Sequence, residues 1–556
     1  MPETSLPAKS GLVTLDYLAI AVYMCATFGI AVWFGRKQKS VDDYFIGGRR
    51  MPWFAVGLSI LATLFSTLSY VGGPGEIIRH GIGMFVGNLA VPFNIAVVTL
   101  LWIPFFMRLK VTSAYEYLER RFSYPVRLIG ALLFVLLRLG WMSMVVYAAA
   151  MCLQQVAGTQ GGGVGNLTDQ QIKEVYWWIA GVGLFAAIYT ATGGIQAMIW
   201  TDVLQCLLLL AGVVMTIAYV AVVDHTGPAD WWQTATEHAP AHTSPPFFTT
   251  DVTVRNTIVW VLISNFFWTI STHGSDQVVL QRYFSTASLS AARRSYLINV
   301  VVDVSMSVLL SFAGLALLAF YLRHSDRLPD NWTPVNSADK LFPFFLGHQL
   351  PAGCAGLIVS AFICDAMQTL ESGVNAITAV VTNDIVPRLR RGKPRIMSEL
   401  TFARVLTVVI TLFVTRNAFY VAEHSVQGGQ TLVTMMPKFF NMFVGPLAAL
   451  FIIGMFLPRC TARSAIPAAL VGMTVSFGWS WFRWIADHWK WFENLFPTKS
   501  EPTVFLAIAV PCLTTIATAA VLGLIVEKGG QHAGRNFTWM AIVKGRKSEQ
   551  TEPGAG

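Results

Sequence analysis

Charge is scarce in this sequence: 12% of its 556 residues are Asp, Glu, Lys or Arg, against 54% that are hydrophobic. Apolar runs of about twenty residues, the length of a bilayer crossing, recur along it and exclude a soluble globular chain. Long polar stretches are missing too. The segments between apolar runs reach only about thirty residues and carry no packing period, so no soluble catalytic or signalling domain is expected. The seven cysteines (Cys25, Cys152, Cys206, Cys354, Cys364, Cys460 and Cys512) include no CxxC pair and no metal-ligand spacing, and are expected to be inert. His80, His273 and His424 fit no HExxH or paired-ligand pattern, which argues against an enzyme and against any cofactor. Met1 to Thr14 lacks a basic region leading into a cleavable apolar core, so no signal peptide is expected.

What is present reads as an all-α polytopic protein of the lipid bilayer. About thirteen spans can be drawn, at 15–35, 53–79, 83–107, 126–156, 175–192, 197–223, 256–275, 295–321, 353–386, 400–422, 430–457, 464–485 and 503–526. The net charge of +9 resides in short loops between them, where it reports orientation and not nucleic-acid binding. Arg36, Lys37, Lys39, Arg49 and Arg50; Arg108, Lys110, Arg120 and Arg121; Arg282, Arg293 and Arg294; Arg388 to Arg395; and Lys544 to Lys547 all fall on one side. That side is expected to be cytoplasmic, with the N-terminus outside, the C-terminus inside, and a plasma membrane as the location. The sequons at Asn166 and Asn331 then lie in external loops. The sequence sets no oligomeric state.

Two stretches break the apolar pattern. Within the ninth expected span, Asp365, Gln368, Thr369 and Ser372 fall on one helical face, with Asn375 at its edge and Glu371 well off it. An intramembrane carboxylate costs about 3 kcal/mol on insertion scales, so a functional or pairing role is required; a stripe of oxygens offers ligands to a hard cation. In the second span, Ser66, Thr67 and Ser69 lead into Tyr70-Val71-Gly72-Gly73-Pro74-Gly75. Such interruption marks the binding site of a secondary transporter or, equally, a packing kink.

Several motifs resemble the sodium/solute symporter family, in particular its iodide, multivitamin and monocarboxylate branch. They are Asp43 to Trp53; Leu61-Ala62-Thr63 with Gly72 and Glu76; Thr112 to Phe122; Tyr189 to Gly194; Ile199 to Gln205; and Asp276-Gln277 with Gln281-Arg282-Tyr283. The resemblance runs from about residue 40 to about 460 and implies a LeuT-like fold of two five-helix inverted repeats, residues 53–223 and 256–457, with one extra helix before them and two peripheral helices after.

The resemblance also implies site residues. A sodium ion would be held by the carbonyls of Ala62 and Phe65 with Asp365, Gln368 and Thr369, where the family usually has a small residue for Asp365 and a serine for Gln368. A second cation site would use Asp202, Gln205, Glu371 and Ser372. Alignment with sugar-transporting relatives turns their glutamine, glutamate, asparagine and lysine into Ser69, Asn88, Thr269 and Asp303; Ser66, Arg138 and His273 complete the candidate substrate set. Three accounts of the added carboxylates stand side by side: a tighter cation site, a proton-coupled site, or a buried salt bridge from Arg138 or Lys438 to Asp365 or Glu371. The function implied is sodium-coupled symport of a small polar or charged organic solute or anion, the alternatives being proton-coupled symport or a non-transporting sensor on the same scaffold.

Overall fold

The computed structural model describes residues 12–36, 49–109, 111, 113–158, 169–190, 195–238, 244–330, 332–386, 388, 398–426, 432–489, 500–526 and 533–545. Asn166, Asn331 and several basic loop residues, among them Lys37, Lys39 and Lys393, lie outside these. The described residues form helices and no strand beyond one isolated bridge, Met51 with Thr286. A lipid-exposed backbone allows little else, because each N–H and C=O must be satisfied within its own segment.

The helices that build the bundle are α1 (Thr14–Gly35), α2 (Trp53–Leu64), α3 (Thr67–His80), α4 (Ile82–Leu109), α5 (Tyr124–Ala157), α6 (Asp169–Thr190), α7 (Ile195–Val223), α8 (Ile258–Ser275), α9 (Gln277–Phe284), α10 (Leu289–Arg323), α11 (Ala338–His348), α12 (Cys354–Ile385), α13 (Glu399–Val426), α14 (Leu432–Phe456), α15 (Ala462–Ser480), α16 (Phe482–His488) and α17 (Val504–Val526). Among the described residues nine helices are long and apolar enough to cross a membrane, and eleven spans result if the bent pairs α2/α3 and α15/α16 each count once. The expected thirteen are therefore not reached by this measure. The other two expected positions hold α6, which opens on Asp169, Gln170, Gln171, Lys173 and Glu174, and α8, which carries Ser264, Asn265, Thr269, Ser271, Thr272 and His273.

The bundle is arranged around α12. Of its most apolar stretch 83% is buried inside the protein, against 17% for the peripheral α1. Helices α1, α5, α6, α7 and α13 pack against it. Its start is tied to α1 by Asp16, whose Oδ1 accepts from the N–H groups of Gly353 (2.7 Å) and Gly356 (2.9 Å). Glycine is required at 356, because a Cβ there would lie 2.2 Å from the Asp16 carbonyl oxygen.

The second span does break, but not at its glycines and proline. The bend of 62° falls at Phe65 and Ser66, while Gly72, Gly73, Pro74 and Gly75 lie within α3. Gly75 serves packing, since a Cβ there would come within 2.4 Å of the Asp339 side chain on α11, whereas Gly72 and Gly73 line the central cavity. Helices α15 and α17 pack on α14 and on each other. Yet α17 is not wholly peripheral, since Val504, Phe505 and Ile508 at its start reach the central cavity.

Close approach of α2 to α10 gives a direct test. A Cβ on Gly57 would lie 2.0 Å from Ile298 Cγ2 and 2.5 Å from the Ser295 carbonyl oxygen, whereas one on Gly181 meets nothing within 4 Å. Gly57→Ala is expected to destabilise by about 1–3 kcal/mol through overpacking, and Gly181→Ala to leave stability unchanged, as read by thermal unfolding in detergent.

Candidate cation and substrate sites

Asp365, Gln368, Thr369 and Ser372 project from one face of α12 and are all buried. Asp365 reaches the break in the second span: its Oδ2 accepts from both the backbone N–H and the hydroxyl of Thr67. Thr67 is the first residue of α3, so the carboxylate satisfies a donor that a helix start leaves without an intrahelical partner, at the positive end of the helix dipole. Ser66, in the N-cap position, provides no such side-chain bond. The cap has moved to another helix.

Around this contact lies a set of uncommitted polar atoms. Asp365 Oδ1, both amide atoms of Gln368, Thr369 Oγ1 and Ser66 Oγ are buried and make no hydrogen bond. The Gln205 amide lies beside Asp365 and donates to the Ala361 carbonyl at 3.3 Å. Some buried helical threonines bond back to the preceding turn, Thr63 to Ser59 O at 2.8 Å and Thr216 to Gly212 O at 3.0 Å; Thr369, like Thr378 and Thr407, does not. Ala62 and Phe65 stand at the end of α2, where last-turn carbonyls lose their helical donors. Buried oxygens without donors are what a hard cation requires and what an apolar core penalises.

The second set is brought together differently. Arg282 of α9 donates to Asp202 Oδ2 at 3.1 Å, to Ser59 Oγ at 2.7 Å and to Ser372 Oγ at 2.8 Å, and Ser59 donates in turn to Asp202. Glu371, also buried, feels the charge of Arg282. A guanidinium thus stands between Asp202 and Ser372, the positions from which a second ion would be held. The sequence placed Arg282 in a motif and among the basic loop residues; the second placement is corrected, since Arg282 lies in α9 and is buried among Asp202, Ser59 and Ser372.

Arg138 pairs with neither Asp365 nor Glu371. It is bound to Asp276, with Nε 3.3 Å from Oδ1 and Nη2 on Oδ2, both side chains nearly inaccessible. Asp276 occupies the break between α8 and α9 and also accepts from the Val278 N–H at 2.9 Å, capping α9 as Asp365 caps α3. Lys438 pairs with Glu501 at 3.4 Å. The expected alternative of a bridge from Arg138 onto α12 is therefore corrected: its guanidinium is taken by Asp276.

A cavity of about 300 Å³ lies against the broken span, between α3, α4, α8, α10 and α14. Ser66, Ser69, Asn88, Thr269, His273 and Asp303 of the candidate substrate set line it, as does Phe65; Arg138 does not. Several of its polar groups are already fixed: Asn88 donates to Ser307 Oγ at 2.9 Å, Asn94 to Asn265 Oδ1 at 2.9 Å, and His273 Nδ1 lies 2.7 Å from the Tyr283 hydroxyl, which makes His273 a structural residue of the wall. Next to the lining residue Ile77, Glu76 of α3 is held bidentately by Arg255, at 3.0 and 2.9 Å. Outside the lining, Arg127 joins Glu119 to Asp384, which Ser113 also contacts at 2.6 Å. Burial alone would raise the Glu119 carboxyl, but Arg127 and Arg388 outweigh it and hold it below the ordinary range.

A broken helix facing a central helix with unsatisfied oxygens, beside a solute-sized cavity inside a helical bundle, is the architecture of a secondary transporter. The profile of the sodium:solute symporter family matches residues 44–472. The sodium/sialic acid symporter NanT of Aliivibrio fischeri is 28% identical over 457 residues, which are 82% of this chain and 85% of NanT. The human sodium/iodide cotransporter is 29% identical, over 83% of this chain and 69% of its own. A solved Na⁺-coupled sialic acid symporter, in its substrate-bound outward-open state, superposes with a TM-score of 0.75 at 25% identity, covering 92% of this chain and 98% of that one. The chain belongs to the sodium:solute symporter family. It is a multi-pass membrane transporter with a LeuT-like fold, not an enzyme, and couples sodium to the movement of a small solute.

The Arg138–Asp276 pair supports a double-mutant test. Arg138→Met leaves a buried carboxylate unpaired and is expected to destabilise by about 3–5 kcal/mol, while Arg138→Met with Asp276→Leu recovers most of the loss, measured by thermal unfolding of the single and double variants.

Proposed function

We propose that the coupling sodium ion binds between α12 and the break in the second span, held by Asp365 Oδ1, Gln368 Oε1, Thr369 Oγ1 and the carbonyls of Ala62 and Phe65. The observation that carries this reading is the row of buried oxygens on Asp365, Gln368 and Thr369 that make no hydrogen bond while Asp365 grips the first residue of α3. An ion at Asp365 would act on both sides of the break at once: on α2 through its carbonyls, on α3 through Thr67. Sodium occupancy would then set the angle of α3 against the cavity, which it lines with Ser69, Gly72 and Gly73.

In this reading Asp202, Gln205, Glu371 and Ser372 do not take a second ion. Arg282 supplies the positive charge there, and coupling is to a single sodium. The solute occupies the central cavity, with Ser66, Ser69, Asn88, Thr269 and Asp303 on its walls. Residues 53–223 and 256–457 are the two inverted repeats; the aspartate-capped breaks at Ser66 and Asp276 stand at corresponding positions near their starts. The basic loops orient the protein in a plasma membrane with its N-terminus outside and its C-terminus inside. Alternating access then opens the Glu76–Arg255 end to the exterior and the Asp384–Arg127 end to the cytoplasm in turn.

Sodium should raise the melting temperature of the purified protein more than potassium does. Thr369→Ala is expected to raise the sodium concentration giving half of that shift about tenfold, equivalent to ~1.4 kcal/mol. Asp365→Asn is expected to abolish the sodium-specific shift and sodium-driven uptake in proteoliposomes. An unchanged sodium response in both variants would remove α12 as the ion-binding helix.

A further inference from the structure

The cavity wall has one feature that the family membership leaves unexplained. Among the described residues that line it there is no lysine and no arginine, and there is one carboxylate, Asp303. Arg138, Lys438, Arg255 and Arg282 are paired with Asp276, Glu501, Glu76 and Asp202. Asp303 itself makes no ion pair or hydrogen bond with any described residue. Its neighbours on α10 place it deliberately in the cavity. Tyr296, Asn299, Val300, Asp303, Ser307 and Ser311 follow helical spacing and all line the wall, so one face of an otherwise apolar helix is given over to polar groups.

The rest of the wall suits a positive charge. Trp141 stacks on Trp268 at 5.4 Å and packs against Phe440 at 4.9 Å, and all three rings border the cavity together with Phe65 and Tyr296. Aromatic faces attract cations, most strongly where water is excluded. Asp303 is half-buried on the cavity wall, so its charge faces the cavity, where a cation is attracted and a free anion entering beside it is repelled more strongly than in bulk water.

We propose that the central cavity binds an organic cation, or the cationic end of a zwitterion, with Asp303 as its counter-ion and the Trp141–Trp268–Phe440 cluster as its aromatic floor. This rests on the reading of the chain as a symporter that works through this cavity. It sets the chain apart from relatives named for sialic acid and iodide, both of which are anions. Sodium at Asp365 and the solute charge at Asp303 would be neutralised separately, each by its own carboxylate.

The test uses the full chain in proteoliposomes, in sodium, with Val300→Cys as a reporter one turn from Asp303 and Cys25→Ser and Cys354→Ser as background. Two thiol reagents of the methanethiosulfonate type are compared, one bearing a quaternary ammonium and one a sulfonate, each normalised to its rate with a free thiol. The ammonium reagent is expected to react about tenfold faster, because a fixed charge in a low-dielectric cleft concentrates counter-ions. Adding Asp303→Asn should remove the preference. Choline or agmatine should protect Val300→Cys when Asp303 is present, and lactate and glucose should not. Equal normalised rates, a preference that survives Asp303→Asn, protection by lactate or glucose, or failure of both amines to protect would each overturn the proposal. The sodium-induced thermal shift of the unmutated chain is read in parallel: its loss defeats the symporter reading of the ion site, whereas a defect confined to the thiol reactions defeats the substrate class alone.

Discussion

The contact on which the site depends is the grip of Asp365 on Thr67. A carboxylate in the middle of a membrane helix must find donors, and a helix interrupted in the membrane must find acceptors for its first N–H groups. Each solves the other's problem. The break in the second span consequently falls where α12 can reach it, at Phe65 and Ser66, and the oxygens next to Asp365 on the same face are brought up to the frayed end of α2. The proposed cation site, the break and the cavity wall are contiguous because one side chain joins them.

The same device recurs at Asp276, which caps α9 beyond the second break and is balanced by Arg138. The two aspartates differ in what neutralises them. Asp276 has a guanidinium, as Asp202 has in Arg282, and such buried pairs lock helices together at the cost of desolvating both partners. Asp365 has no guanidinium, and neither does Asp303. In the proposed reading these two carboxylates meet charges that arrive from outside the protein, one beside unsatisfied oxygens and one beside aromatic rings. Ion and solute are in this view distinguished by the company each acid keeps: hard oxygen ligands on α12, polarisable rings around the cavity.

Much of the architecture was legible in the sequence because bilayer thickness imposes a length on every span and backbone satisfaction leaves only helices. The polar face of α12 follows from spacing alone, since residues three and four apart share a side of any helix. Polar residues that line a wet cavity defeat the same criterion. Helix α8 carries its Asn265, Thr269 and His273 there, which is why an expected span falls short of the apolar standard. The break was foreseen, and it falls at the start of the interrupted stretch, before its glycines and proline. Glycine and proline advertise a weak helix, yet Gly75 is spent on close packing and Gly72 and Gly73 on the cavity wall, and the helix parts where a distant carboxylate meets its first donors.

Partnership between charges was the least legible part. Nothing local tells Arg138 to choose Asp276 over Asp365, or brings Arg282 between Asp202 and Ser372, for these pairs are separated by 138, 80 and 90 residues. What the sequence determined by itself was therefore the membrane class, the helical periodicity, the family and the helix that carries the oxygens, all set by local composition and spacing. Only the tertiary structure decided which charge meets which, where the second span breaks and which acid is left facing the cavity, because Coulombic pairing and desolvation act between neighbours in space, and the chain order does not say who those neighbours are.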